Sequence, residues 1–148
     1  MVYKRRIALS QDEALGWLEG EHPCPRPGQI GAEIDYFLDF YRPLVPTVFL
    51  SSEREAYCSA EEPGFRLTFD ERILCRRVDI SLGSEACGTP LLPEGRVLME
   101  LKCTGGIPMW LVRELSAGRI YKTSFSKYGT AYRTLIWPEQ RKGAARYA

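Results

Sequence analysis

Hydrophobic and polar positions in the first third of the chain predict a strand followed by two helices. Residues 2–9 mix apolar and basic residues as a strand does, and Ser10 with Glu13 forms the capping box that begins a short helix. From Gln29 to the proline at position 43, apolar residues recur at helical spacing, namely Ile30, Ile34, Phe37, Leu38 and Tyr41. We expect this second helix to pack its aromatic stripe in a core.

Alternation with a period of two predicts three strands in the middle of the chain. The candidates are residues 45–58, interrupted at Ser51-Ser52, residues 65–72, and residues 97–103. In the second strand the polar face carries Arg66, Thr68, Asp70 and Arg72. Residues 83–95 are predicted to be a loop and residues 108–118 a short helix, while residues 121–136 fit either a strand or a turn and helix. The fold class is therefore α+β with an antiparallel sheet.

Composition adds exclusions to this outline. The 148 residues are 45% hydrophobic, with 20 basic and 19 acidic side chains, which is typical of a globular protein and gives no general attraction for nucleic acid. Neither a membrane span nor an export leader is visible. Five scattered cysteines, with no C-x-x-C pair, fit reduced thiols in the cytoplasm rather than a zinc or disulfide framework. No linker is apparent, and residues 137–148 are expected to be a basic, flexible tail.

The polar faces of the strands allow two interpretations. Arg54 lies in the first strand, Arg66 and Arg72 share a face of the second, and Glu100 and Lys102 share a face of the third. Alternation alone favours a sheet whose outer side faces water. The alternative is a concave ionic interior that holds a polyanion, since a guanidinium binds phosphate bidentately and one glutamate serves a bridging divalent metal.

Residues 123–129 contain two serines, a lysine and a glycine, which are able to donate to one phosphate group. The order required for a Walker A loop is missing. An ordinary turn explains the same residues, so the pattern leaves both interpretations open.

Five ordered segments together carry a resemblance to a known family. They are residues 3–6, 52–57, 65–70, 97–102 and 124–129, and they resemble the C-terminal part of the VTC-type polyphosphate polymerase domain in the triphosphate tunnel metalloenzyme superfamily. The resemblance covers residues 2–136 and implies half of an antiparallel β-tunnel flanked by helices. In that family, arginines and lysines inside the tunnel hold the phosphates of ATP and of the growing polymer.

Carried over position by position, the resemblance implies a set of site residues. Arg54 matches the arginine of an R-x-A-[YF] strand, Arg66 that of an R-[IL]-[ST]-[FL]-D strand, and Lys127 with Ser126 the S-K-Y phosphate-binding signature. Arg54, Arg66 and Lys127 would be catalytic as well as phosphate-binding. Glu100 matches the acid that binds Mn²⁺ or Mg²⁺. Lys4 and Arg6 would face the tunnel from the first strand, and Ser52 stands where the family often has tyrosine.

The implied activity is phosphoryl transfer from ATP to a polyphosphate end, provided that the tunnel is complete. The family's N-terminal tunnel strands have no counterpart in the sequence. Three expectations follow: a fragment of a longer protein, two copies that pair into one barrel, or a module that binds ATP, polyphosphate or pyrophosphate without turnover. A triphosphate hydrolase of the same superfamily is a further alternative.

Overall fold

The computed structural model describes residues 4–62 and 64–138. The chain divides into two compact units, with the boundary between Val45 and Pro46. No helix in the described ranges has the length and apolar character needed to cross a membrane. The predicted tail at 137–148 lies outside the described residues except for Trp137 and Pro138.

The first unit contains two helices, α1 (Gln11–Glu19) and α2 (Gln29–Phe40). The predicted capping box is confirmed, because the Glu13 amide donates to Ser10 Oγ at 3.3 Å and the Ser10 amide donates to Glu13 Oε2 at 2.8 Å. Gly20 ends α1 with a positive φ of 81°, a conformation that glycine adopts without steric cost. Trp17 Nε1 donates to Asp35 Oδ1 at 2.6 Å and so connects the two helices.

Two expectations for this unit are wrong. The predicted strand at 2–9 is absent over residues 4–9, where Arg5 instead forms an ion pair with Glu33 of α2. The aromatic stripe of α2 is not a core within the described residues, since Phe37 and Tyr41 are each about half exposed. Neighbouring rings on the helix contact one another instead.

The second unit contains a four-stranded antiparallel sheet in its described residues. Its strands are β1 (Phe49–Cys58), β2 (Arg66–Arg76), β3 (Thr89–Pro90) and β4 (Leu98–Lys102). β2 pairs with each of the other three, and over the described ranges of the chain the sheet does not close into a barrel. Helix α3 (Met109–Ala117) follows, and helix α4 (Lys127–Ala131) runs into a π-helical segment (Tyr132–Ile136). The α+β class and the antiparallel sheet are confirmed, whereas the assignment of this sheet as half of a β-tunnel remains a prediction.

A β-bulge divides β2 into two halves. The register with β1 shifts between Ser51 and Glu53, so β2 carries one extra residue there, and Arg72 adopts a φ of 44°. Arg72 consequently pairs with Glu53 at 2.8 Å, on the side of β1 opposite Arg54. The prediction that Arg72 continues the polar face of Arg66 is therefore wrong.

The hydrophobic core covers the half of β2 that follows the bulge. Ile73, Cys75, Leu91 and Ala131 are buried together, and flanking apolar side chains, including Leu98, Phe125 and Leu135, pack against them. Because Thr68 and Asp70 are also buried, this face is apolar at one end and ionic at the other. All five cysteines are free, as the sequence predicts.

The loop after β2 is held against the strand by contacts that the sequence pattern does not show. The Arg76 guanidinium stacks 3.7 Å from the Phe49 ring centre and donates to the carbonyls of Asp79, Glu85 and Cys87 at 2.8–2.9 Å. Gly88, at φ 145°, lies so close to β2 that a Cβ would meet the Cys75 carbonyl oxygen at 2.4 Å.

Truncating the core tests this architecture. Ile73→Ala removes a side chain that is 1% exposed, and we expect it to lower the free energy of unfolding by about 2–5 kcal/mol in chemical denaturation. Leu82→Ala, at a side chain 82% exposed, is the matched control and should change it by less than about 0.5 kcal/mol. Equal effects of the two changes would contradict the placement of the core.

Candidate functional site

Charged side chains from three strands and one helix meet on a single face of the sheet. Pairing places Arg54 opposite Asp70, Thr68 opposite Glu100, and Arg66 opposite Lys102. Since side chains directly across a sheet share a face, these positions form one surface, which α4 joins through Lys127. We call it the ionic face and define it as Arg54, Arg66, Asp70, Glu100, Lys102 and Lys127.

Asp70 lies at the centre of the ionic face and is fully buried, with 0% exposure. Arg54 binds it bidentately, with Nε 2.5 Å from Oδ1 and Nη2 2.6 Å from Oδ2, and Lys127 Nζ donates to the same Oδ2. The hydrogen bonds from Arg54, and then those from Lys127, lower the pKa of Asp70 from 3.8 to about 2. The pairing likewise raises the pKa of Arg54.

Glu100 continues the ion network along β4. Lys102 Nζ lies 3.0 Å from Glu100 Oε1, and Arg54 Nη2 lies 3.6 Å from Glu100 Oε2. The hydrogen bond from Lys102 is the main cause that lowers the pKa of Glu100. The predicted shared face of Glu100 and Lys102 is therefore confirmed.

Arg66 differs from the other cations of the ionic face. Among the described residues it has no ion-pair partner, and its Nε is buried without a hydrogen bond. A buried donor left unsatisfied carries a desolvation penalty that an anionic acceptor would remove. Arg66 is thus the position where this surface most needs a ligand.

The segment 126–129 forms the start of a helix. Ser126 is the N-cap of α4, and its Oγ accepts from the Gly129 amide at 3.1 Å. Lys127 is the first residue of the helix, and its ammonium group reaches Asp70. The cap accounts for the serine and glycine, so the phosphate-binding role of Ser126 stays a prediction.

Lys4 and Arg6 belong to the first unit, where they are exposed and lie in a segment without regular structure. The strand expected to align them is absent over residues 4–9, the part of it that the structure describes. Their role in phosphate binding remains a prediction that the geometry of the ionic face does not use.

The chemistry of the ionic face favours an anion. Four cations and two carboxylates give it a formal charge of +2 at neutral pH. The interpretation of this surface as a water-facing outer side is wrong at its centre, because Thr68 and Asp70 are 2% and 0% exposed. An ion pair as buried as this one persists only with satisfied geometry, and Arg54 supplies that geometry.

The ionic face provides only part of a binding site for a divalent metal. Within residues 4–62 and 64–138 no group of three or more histidine, cysteine, aspartate or glutamate residues is placed to hold a metal ion. Both oxygens of Asp70 are already bonded to cations. Glu100 Oε1 is bonded to Lys102, so only Oε2, which lies 3.6 Å from Arg54 Nη2, is left to ligate a metal. Such a metal would take its other ligands from phosphate and water, and its binding remains a prediction.

The sequence pattern predicts that Asp70 lies on the polar face of its strand, but it assigns no function to Asp70. It indicates Lys102 only as a residue on the same face as Glu100. Alternation did reveal that Asp70 lies on the face of Arg66. What it did not reveal is that Arg54, 16 positions earlier, and Lys127, 57 positions later, bond to this one carboxylate.

The low pKa of Asp70 predicts a specific loss of stability in acid. A pKa below the unfolded value stabilises the fold above about pH 4 and loses that contribution, about 2 kcal/mol, as the pH falls from 3.8 through about 2. Asp70→Asn should abolish this component. Denaturation of both proteins at about pH 6, 4 and 2 measures it, and a pH dependence unchanged by the substitution would contradict the pairing.

Comparison with known proteins agrees with the ordered motifs. A family model described as the VTC domain matches residues 1–136. No curated protein and no solved structure matches the chain significantly. The match includes every residue of the ionic face and covers most of the sequence, so the chain belongs to the VTC domain family.

Proposed function

We propose that the ionic face binds linked phosphate groups, as polyphosphate, pyrophosphate or the triphosphate of ATP. Membership of the VTC family supports a polyphosphate-related function. The observation that carries the proposal is that Arg66, a partly exposed residue on a surface of net positive charge, has no ion-pair partner among the described residues. Phosphate oxygens would compensate the positive charge of Arg66, which no described carboxylate pairs.

The dimensions of the ionic face suit several phosphates in a row. Arg66 and Asp70 are four residues apart on β2, which separates their Cα atoms by about 13 Å. Arg54 and Lys127 lie at the Asp70 end, and Lys102 lies opposite Arg66. Cations thus mark both ends of a surface longer than one phosphate group.

Within a closed tunnel, the chemistry we propose is transfer of the terminal phosphoryl group of ATP to the end of a polyphosphate chain. Such transfer depends on holding the reacting groups in line and balancing their charge. Arg54, Arg66 and Lys127 would bind phosphate oxygens, with Ser126, Lys4 and Arg6 as further predicted contacts. Glu100 would hold Mn²⁺ or Mg²⁺, and the metal would neutralise charge between phosphates.

The open sheet favours a second candidate, binding without turnover. In the described residues, β1 and β4 each pair only with β2, so both leave an edge without a ladder partner. A second copy of the chain that pairs with these edges would complete a barrel and restore the catalytic proposal. A triphosphate hydrolase would use the same phosphate contacts.

Removing the charge of Arg66 tests the binding proposal. Arg66→Gln should weaken the affinity for tripolyphosphate about 10- to 100-fold in calorimetric titration, as expected when a charge-assisted hydrogen bond is lost. Arg113→Gln, at an exposed position on α3, changes the net charge equally and should leave the affinity within about twofold. Equal weakening by both changes would indicate general charge attraction instead.

Product analysis separates the catalytic candidates. The protein is incubated with ATP, Mn²⁺ and a pyrophosphate primer, and chain length is followed by gel electrophoresis. Elongated polyphosphate would support the polymerase, and orthophosphate alone would support the hydrolase. Tripolyphosphate binding without either product would support the binding module, and light scattering of the same sample would show whether two copies associate.

A further inference from the structure

We infer that Asp70 is a positioning residue for phosphate binding, an internal carboxylate that fixes Arg54 and Lys127 before the ligand arrives. This inference rests on the proposed function of the ionic face. The resemblance assigns phosphate contacts to Arg54 and Lys127 but gives no role to Asp70. The geometry joins all three.

Asp70 connects three elements that are distant in sequence. It belongs to β2, Arg54 to β1 and Lys127 to the first turn of α4. Both carboxylate oxygens accept from Arg54, and Oδ2 also accepts from Lys127. Solvent does not reach the carboxylate, so a dissolved anion contacts the two cations and not Asp70.

The pairing leaves enough donors for a ligand. A guanidinium carries five N–H groups, and Asp70 uses two of them, those on the Nε and Nη2 side of Arg54. Within the described residues, Nη1 keeps both of its N–H groups for a ligand, whereas Nη2 also lies 3.6 Å from Glu100 Oε2. Lys127 has two further N–H groups. The side chains of Arg54 and Lys127 are 35% and 28% exposed, so these donors are accessible.

Two roles of Asp70 make opposite predictions. As a positioning residue it holds two long side chains in one arrangement, which reduces the entropy that phosphate binding must otherwise remove. As a competing anion it would occupy the cations until phosphate displaced it. The Nη1 donors of Arg54 favour positioning, because phosphate can bind them without breaking the pair with Asp70.

Substitution of the carboxylate by its neutral isostere distinguishes these roles by sign. Asp70→Asn raises the formal charge of the ionic face by one. Positioning predicts that tripolyphosphate affinity, measured without divalent metal, nevertheless falls at least 10-fold, whereas a competing anion predicts that it rises. Glu71→Gln makes the same charge change at the exposed neighbour of Asp70, on the other side of β2, and should leave the affinity within about twofold.

A measurement on the unmodified protein decides the question even where Asp70→Asn fails to fold. The Arg54 Nε–H signal is followed by ¹⁵N NMR during titration with tripolyphosphate. Positioning predicts that this proton stays protected from exchange at saturation while the Nη signals shift. Loss of its protection on saturation would overturn the inference.

The outcomes separate this inference from the proposal beneath it. No binding of tripolyphosphate by the unmodified protein would remove both the proposed function and the inference. Binding by the unmodified protein, together with equal or higher affinity of Asp70→Asn, would overturn the role of Asp70 alone.

Discussion

The second unit depends on a buried carboxylate that two cations neutralise. Without Arg54 and Lys127, Asp70 would carry an uncompensated charge in the interior, a condition that costs several kcal/mol, on the order of 3–5, in proteins where one partner is removed. The same bonds fix α4 against the sheet at its first residue. The same ion pairs therefore stabilise this unit and arrange the side chains of its candidate site.

The ionic and apolar ends of β2 are coupled because they share one face. Ala131 of α4 lies in the hydrophobic core, four residues after Lys127, which bonds to Asp70. Because packing holds α4 at one end and an ion pair holds it at the other, the helix has little freedom to move along the sheet. This arrangement gives the lysine a fixed position with no contribution from loop sequence.

Local signals predicted much of the fold. The Ser10–Glu13 capping box, the two-residue alternation of 65–70 and the proline that begins 108–118 each determine structure through neighbours a few positions away, and each element is present. The strand expected at 2–9 is absent over its described residues. A strand needs a neighbouring strand to pair with its backbone groups, and the local sequence pattern does not show whether one is present. The exposure of the aromatic side chains of α2 could not be predicted either, since helical spacing shows which residues share a face but not what covers that face.

For the candidate site, the sequence predicts which residues lie on the ionic face better than it predicts which of them bond to one another. Arg54, Arg66, Glu100 and Lys127 lie on the ionic face, yet the dominant bond within it joins Arg54 to Asp70, which no local pattern reveals. The prediction for Arg72 is wrong because the bulge is defined by the register of β2 with β1, which the residues of β2 alone do not give.

The extra residue at the bulge of β2 shifts the alternation of inward and outward side chains between the two halves of the strand, which differ in chemistry. Upstream of Arg72 the inward positions are Arg66, Thr68 and Asp70, and downstream they are Ile73 and Cys75, an odd spacing that a regular strand does not permit. Loss of the extra residue would give the even spacing of a regular strand, so both halves would keep their inward positions while the local bend of the bulge was lost. The bulge therefore determines where the strand bends and where Arg72 leaves the ionic face to meet Glu53, and not which side chains of the downstream half are buried.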